Sequence, residues 1–257
     1  MSRAWTTMLR ELNGYFFNPV GYLIAVLLYL YRGVELSAVV ETVRDIGGRD
    51  VEEFATAYVL QFSSLIMIVL VPPILTMRCF AEERRTGSIE VLLTAPVRNW
   101  EVVVGKWAAA FVFFCVLWIP TLGVLWLLTG DSYLATSIPF SPVVAGYLGL
   151  VLVGAFALSA GCFFSSLTDN VLLASLSGIL FGWGLISLPS FVTPYVDTYA
   201  ERWPLLESLL AQMNVFAQLT QWFSRGLIDT GHCAFYVTGT AFFLFLTTRS
   251  LEARRWR

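Results

Sequence analysis

Residues able to do chemistry are few in this chain, and their spacing argues against catalysis. Histidine occurs once, as His232. It stands beside Gly231 at the edge of an apolar run, so any serine–histidine pair would depend on it alone. A lone histidine in that setting is more often structural than catalytic. No H-E-x-x-H motif or paired metal ligands appear. The four cysteines, Cys79, Cys115, Cys162 and Cys233, form no C-x-x-C pair. At least two lie inside hydrophobic runs and read as small apolar residues, not as disulfides or ligands. Lysine also occurs once, as Lys106. A phosphate-binding loop needs G-x-x-x-x-G-K followed by Ser or Thr. Here Lys106 is followed by Trp107, and Trp100 stands where the first glycine belongs. No catalytic residue, metal or cofactor is therefore expected on this chain, and it cannot hydrolyse ATP through such a loop.

The elements around these residues are hydrophobic. The chain of 257 residues is 57% hydrophobic and only 13% charged, with mean hydropathy +0.72. Soluble domains carry about 25% charged residues. Half that number cannot cover a water-facing surface. The expected fold class is all-α, a polytopic membrane protein forming one transmembrane domain over residues 1–257. Six spans are expected, near 15–31, 55–77, 102–128, 142–165, 171–188 and 232–248. The uninterrupted apolar run of the first, Val20 to Tyr31, is short of the roughly 20 residues a span needs, and Arg32 and Glu35 lie just beyond it; it can extend toward Val40. Pro72 and Pro73 should kink the second, because each removes a backbone donor. The fourth and fifth form a tight hairpin around Asp169. Residues 189–230 make a long outer connection. No cleavable signal peptide is expected, since Arg3, Arg10 and Glu11 are mixed charges and no small-x-small site closes the first apolar run.

Charge supports this topology. Of the 16 basic residues, eleven fall on the side that would hold both termini: Arg3, Arg10, Arg78, Arg84, Arg85, Arg98, Lys106, Arg249, Arg254, Arg255 and Arg257. Basic residues favour the cytoplasm, so both termini are expected there. Trp107, Trp118, Trp126, Trp203 and Trp222 fall near expected span ends, as interfacial aromatics do. Ionisable residues are almost absent from the interiors of spans two to six, which disfavours an ion-driven carrier or a charged pore. Lys106, near a span end, is expected to snorkel. Small residues recur in spans four and five, including Gly149, Gly154, Gly161, Gly178 and Gly182. Close packing within the subunit is the simpler expectation; a subunit interface or a transport path is the alternative.

Two amphipathic segments stand out. Trp5, Met8, Leu9, Leu12 and Phe16 share one face of a helix over 2–16. That helix can lie in the membrane interface, pack on protein, or do both. The polar stretch 78–101 holds the second. Ala81–Arg85 reads as a charged extension of span two, with Arg78 and Glu82 able to pair at i, i+4. Gly87 interrupts it. Ser88 then serves as N-cap and Glu90 favours the helix dipole. Ile89, Leu92 and Leu93 make an apolar face, and Pro96 stops the helix. On these residues alone, the short helix could rest on the membrane or on a partner protein.

The run Arg78-x-Phe80-Ala81-Glu82-Glu83-Arg84-Arg85-x-Gly87-Ser88-x-Glu90-x-Leu92-Leu93-Thr94-x-Pro96-Val97, followed by Trp100-Glu101 and Gly105-Lys106, resembles the signature of type-2 ABC exporter permeases. Within that family it is similar to the gliding-motility-type permease. Phe223–Asp229, the tail Arg249–Arg257 and the N-terminal Glu11-Leu12, Tyr15-Phe16 and Pro19 fit the same group, while the charged residues 32–54 depart from it. The resemblance implies a multi-pass cell-membrane protein paired with a second permease copy, as homodimer or heterodimer, and two ATP-binding subunits. It also implies that Glu82, Glu83, Arg84 and Arg85 make polar contacts with the ATPase, that Gly87 allows a turn, and that Ser88–Leu93 dock as a coupling helix. Nucleic acid has no role in such a system. A non-transporting membrane scaffold using the same docking loop is the runner-up.

Overall fold

The structure is a computed structural model that describes residues 3–45, 62–87, 98–130, 140–197 and 214–254. Among these residues all regular structure is helical. The elements are α1 (Arg3–Phe17), α2 (Pro19–Asp45), α3 (Phe62–Thr76), α4 (Ala81–Arg85), α5 (Asn99–Gly130), α6 (Phe140–Leu167), α7 (Val171–Asp197), α8 (Val215–Gln221) and α9 (Thr230–Arg254). A single 3-10 turn, Phe223–Arg225, follows α8.

Five segments are long and apolar enough to cross a membrane: Pro19–Ala38, Ser64–Arg85, Asn99–Val124, Ser141–Leu167 and Val171–Pro189. The 25-residue α9 is long enough, at about 37 Å. It falls short on composition, because His232 and five threonines dilute its apolar residues. It nevertheless runs the length of α6. Gly226, just before it, meets Ser141 and Pro142 at the start of α6. Further along, Phe243 packs on Phe156 and Phe163. Near its end Leu251 is buried with Cys162.

The first span begins later than the expected residue 15. Asn18 breaks the helix there: its side chain accepts the Val20 N–H at 3.0 Å. That is an N-cap followed by proline at the first helical position, the pairing helix starts favour. Residues 15–17 thus belong to α1, and α2 carries the span through Arg32 and Glu35. The double proline acts late. α3 passes Pro72 and Pro73, ends at Thr76, and yields to a turn before α4 resumes.

The bundle is built around α6, whose apolar window is 72% buried, whereas those of α2 and α7 are only 28% and 22% buried. Small residues make the close approaches. A side chain at Gly161 would collide with Thr76, one at Gly154 with Phe114, and one at Gly178 with Pro73. These contacts all lie within the chain, as the simpler expectation had it. Two of the tryptophans expected at the interface are not there. Trp118 is buried in the core, and Trp107 donates its indole N–H to the Ala155 carbonyl at 3.2 Å. The outer connection also holds unexpected order. α8 starts at the Asn214 cap and buries Leu219 and Phe223 against Gly149 of α6. Its Gln218 accepts the Tyr236 hydroxyl of α9.

Candidate functional site

The expected snorkelling of Lys106 is overturned. Its side chain is 3% exposed, and its ammonium bonds Glu83 at 2.8 Å and Glu11 at 3.1 Å. The Phe80 ring centroid lies 5.6 Å away. Three elements meet on this one nitrogen: α1, the α4 stub of the polar loop, and the start of α5. Packing explains why the charge turns inward. The carbonyl of Ala4 would lie 2.9 Å from a side-chain carbon at Gly105, and Thr7 at 3.0 Å. Only glycine at 105 lets α1 lie this close, which brings Glu11 within reach of the next residue. A buried ammonium in an apolar bundle needs a counter-charge, and here it has two.

A second clamp holds α4 from the other side. Arg84 bonds Asp169 at 2.6 Å and donates to the Ser166 carbonyl. The Ser165 hydroxyl accepts the N–H groups of Phe80 and Ala81, each at 3.1 Å, and donates to the Met77 carbonyl. Ser165 thereby satisfies backbone donors at the start of α4 that helix geometry leaves open. Gly87 closes the stub with φ +72°, a left-handed turn glycine adopts at no steric cost. Beneath both clamps Cys79, Phe80, Val103, Cys162 and Leu251 form a small apolar cluster. The stub of the loop is therefore fastened to α1, α5 and the α6–α7 hairpin at one end of the bundle.

The loop residues singled out from sequence divide. Glu83 and Arg84 turn inward to these partners. Glu82 and Arg85 stay at the surface, with Glu82 3.9 Å from Arg78. Ser88, Ile89, Glu90, Leu92, Leu93 and Pro96 lie outside the described residues. In α1, Trp5, Leu9 and Phe16 are exposed while Met8 and Leu12 are half-buried. On the side of Met8 and Leu12 the helix also seats Tyr15, whose hydroxyl donates to the Leu75 carbonyl at 2.9 Å. α1 packs on α5 along one side, as one of its two readings had it, and leaves Trp5 and Leu9 exposed. His232 has Asp229 at 3.7 Å and Trp222 beside it, with no serine in the contacts described.

Sequence reasoning passed over Glu11, Lys106, Ser165 and Asp169 as a set. The one available signal was that the only lysine sits at the mouth of an apolar run, where an uncompensated cation is costly.

Burial pushes the Glu11 carboxyl up, but the Lys106 ammonium and Arg10 pull it down further, so it sits below its ordinary value. A depressed carboxylate contributes stability that is fully present above its unfolded value and is lost as pH falls through its folded value. Thermal unfolding of the purified protein should be flat from neutral pH down to the ordinary carboxylate range and weaken below it. Glu11→Gln should be less stable at neutral pH and lose less on acidification. Equal acid slopes for the two proteins would refute the pairing.

A helical bundle with five segments long and apolar enough to cross a membrane, and a buried ion-pair hub at one end, has the make-up of a multi-pass membrane protein. Residues 37–248 match the sequence pattern described as ABC-2 family transporter protein, and the chain belongs to that family. It is thus the membrane component of an ABC transporter, a class that works with an ATP-binding subunit and is generally not catalytic itself. A comparison with curated proteins finds no match.

Proposed function

We propose that the chain is the permease subunit of an ATP-driven exporter and transmits ATP hydrolysis by a separate subunit into transport of a substrate across the membrane. The observation that carries this reading is the fastening of the loop stub through Lys106 and Arg84. A push on the loop after α3 would pass at once into α1, α5 and the α6–α7 hairpin. In this arrangement Glu82, Arg85 and the segment 88–95 face the ATP-binding subunit, while Glu83 and Arg84 pass its movement inward. α9 is the sixth span, supported by its course along α6. Both termini lie in the cytoplasm of a bacterial inner membrane, supported by the bias of basic residues. Two permease copies and two ATP-binding subunits make the transporter, and the sparsely covered α2 and α7 are free to meet the second copy. The chain itself binds no cofactor. The Arg249–Arg257 tail supports placement in the gliding-motility-type group.

Co-purification with the ATP-binding subunit tests the reading. Leu92→Asp puts a charge on the apolar face of the docking helix and should weaken the complex on the order of tenfold or more. Glu83→Ala should leave the complex assembled but lower stimulated ATP hydrolysis. If the double variant keeps both complex and stimulation unchanged, the coupling role is wrong. Complex formation without any substrate-stimulated hydrolysis in liposomes would mark a scaffold instead.

A further inference from the structure

A cavity of about 380 Å³ opens where α1 turns into α2, beside the end of α3. Its size is that of a small-molecule site, and its walls are sorted by polarity. Ile24, Ile74 and Leu75 line the side toward the spans, and Asn18, Arg78 and Glu82 the side toward the loop. An amphipathic helix meeting a span at Asn18 marks the membrane surface, so the apolar wall faces the bilayer and the polar rim faces water. The walls suit a molecule with a charged head and an apolar tail.

The charges select the head. Three carboxylates, Glu11, Glu82 and Glu83, line the cavity against two cations, Arg78 and Lys106. Lys106 is engaged by Glu11 and Glu83 at 3.1 and 2.8 Å and can take a new anion only by breaking those bonds. Arg78 and Glu82 are different. They are half-exposed and 3.9 Å apart, a loose surface pair of little energetic weight. A ligand carrying both a phosphate and an ammonium can replace each partner for the other. Arg78 offers a planar fork to the phosphate, and Glu82 accepts N–H donors from the ammonium. A purely anionic head would take Arg78 from Glu82 and leave that carboxylate without its partner. One acyl chain then lies against α2, whose Leu23, Leu27 and Leu30 are exposed.

We propose that this cavity binds the head of an aminophospholipid, phosphatidylethanolamine in chemical type, from the leaflet on the α1 side. The proposal rests on α1 lying at the membrane surface, as read above, but its test needs neither ATP nor a partner subunit. Native mass spectrometry of the purified full chain, titrated with phosphatidylethanolamine, phosphatidylcholine and phosphatidylglycerol of identical acyl chains, reads it directly. Phosphatidylcholine keeps the phosphate but has no N–H donor. Phosphatidylethanolamine should bind tighter than either by on the order of tenfold. Arg78→Gln with Glu82→Gln, both at surface positions that the fold does not bury, should reduce it to the level of phosphatidylcholine. Equal binding of all three lipids, or preference for phosphatidylglycerol, would overturn the proposal. So would soluble phosphoethanolamine competing as well as the lipid, which would assign the cavity to a free metabolite. A failed pull-down of the ATP-binding subunit would leave these outcomes untouched.

Discussion

Lys106→Met is expected to be among the most damaging single changes in this protein. Methionine fits the space and suits the apolar surroundings, so loss of packing is small. What remains is two carboxylates that had bonded one buried nitrogen: Glu83 loses its 2.8 Å bond to Lys106, and Glu11 keeps only the exposed Arg10 at 3.0 Å. Removing one partner of a buried ion pair costs about 3–5 kcal/mol. For a chain of this length that corresponds to a melting point lower by roughly 10 °C, measurable in detergent by fluorescence-monitored unfolding. Removing all the charges together is a different experiment. Lys106→Met with Glu11→Gln and Glu83→Gln leaves no uncompensated charge, and stability should return most of the way. The triple variant then separates two roles. If the hub transmits movement, the rescued protein binds the ATP-binding subunit but no longer stimulates hydrolysis in step with substrate. A single variant as stable as the wild type would remove the basis for both expectations.

The spans were legible because hydropathy is a property of composition, and a run such as Val102–Leu128 has no soluble alternative. Their ends were less so, since one capping side chain, Asn18, decides where α1 stops and α2 starts. α8 was within reach: Val215, Leu219 and Phe223 recur at i, i+4 and i+8 behind the Asn214 cap. A long, mixed stretch between two spans obscured it. The hub was of another kind. Glu11, Glu83 and Lys106 are far apart in sequence, and nothing local to any of them says which charges meet. That follows only from α1 lying across Gly105 and α4 resting on Ser165. The same holds for Trp118, which reads as an interfacial ring until Arg32 of α2 and Tyr147 of α6 pack beside it. The loop motif could not tell Glu82 and Arg85, which stay at the surface, from Glu83 and Arg84, which turn inward.

The second large effect is expected in α2, at a position before the matched family segment begins. Arg32 and Glu35 are 2% and 9% exposed and lie inside the span Pro19–Ala38. Arg32 donates to Glu35 at 2.7 Å and to Ser64 of α3 at 2.8 Å. Its guanidinium lies 5.7 Å from the centroid of Trp118 in α5. The rest of α2 grips the bundle along one apolar stripe, with Ile24 and Leu28 buried, while most of its surface is uncovered. Apolar side chains against apolar neighbours or lipid set no register, whereas a charge with fixed partners has one arrangement. This cluster is therefore the feature that aligns α2 on α3 and α5. Glu35→Leu takes away the carboxylate that Arg32 bonds at 2.7 Å and should cost about 3–5 kcal/mol. Arg32→Met combined with Glu35→Leu removes both charges and should unfold close to the wild-type temperature. The difference between the single and double variants measures the coupling. It should exceed about 2 kcal/mol if the pair holds span one in place. Additive behaviour would mean that α2 is positioned by its apolar contacts alone, and that the two charges are carried into the span for some other reason.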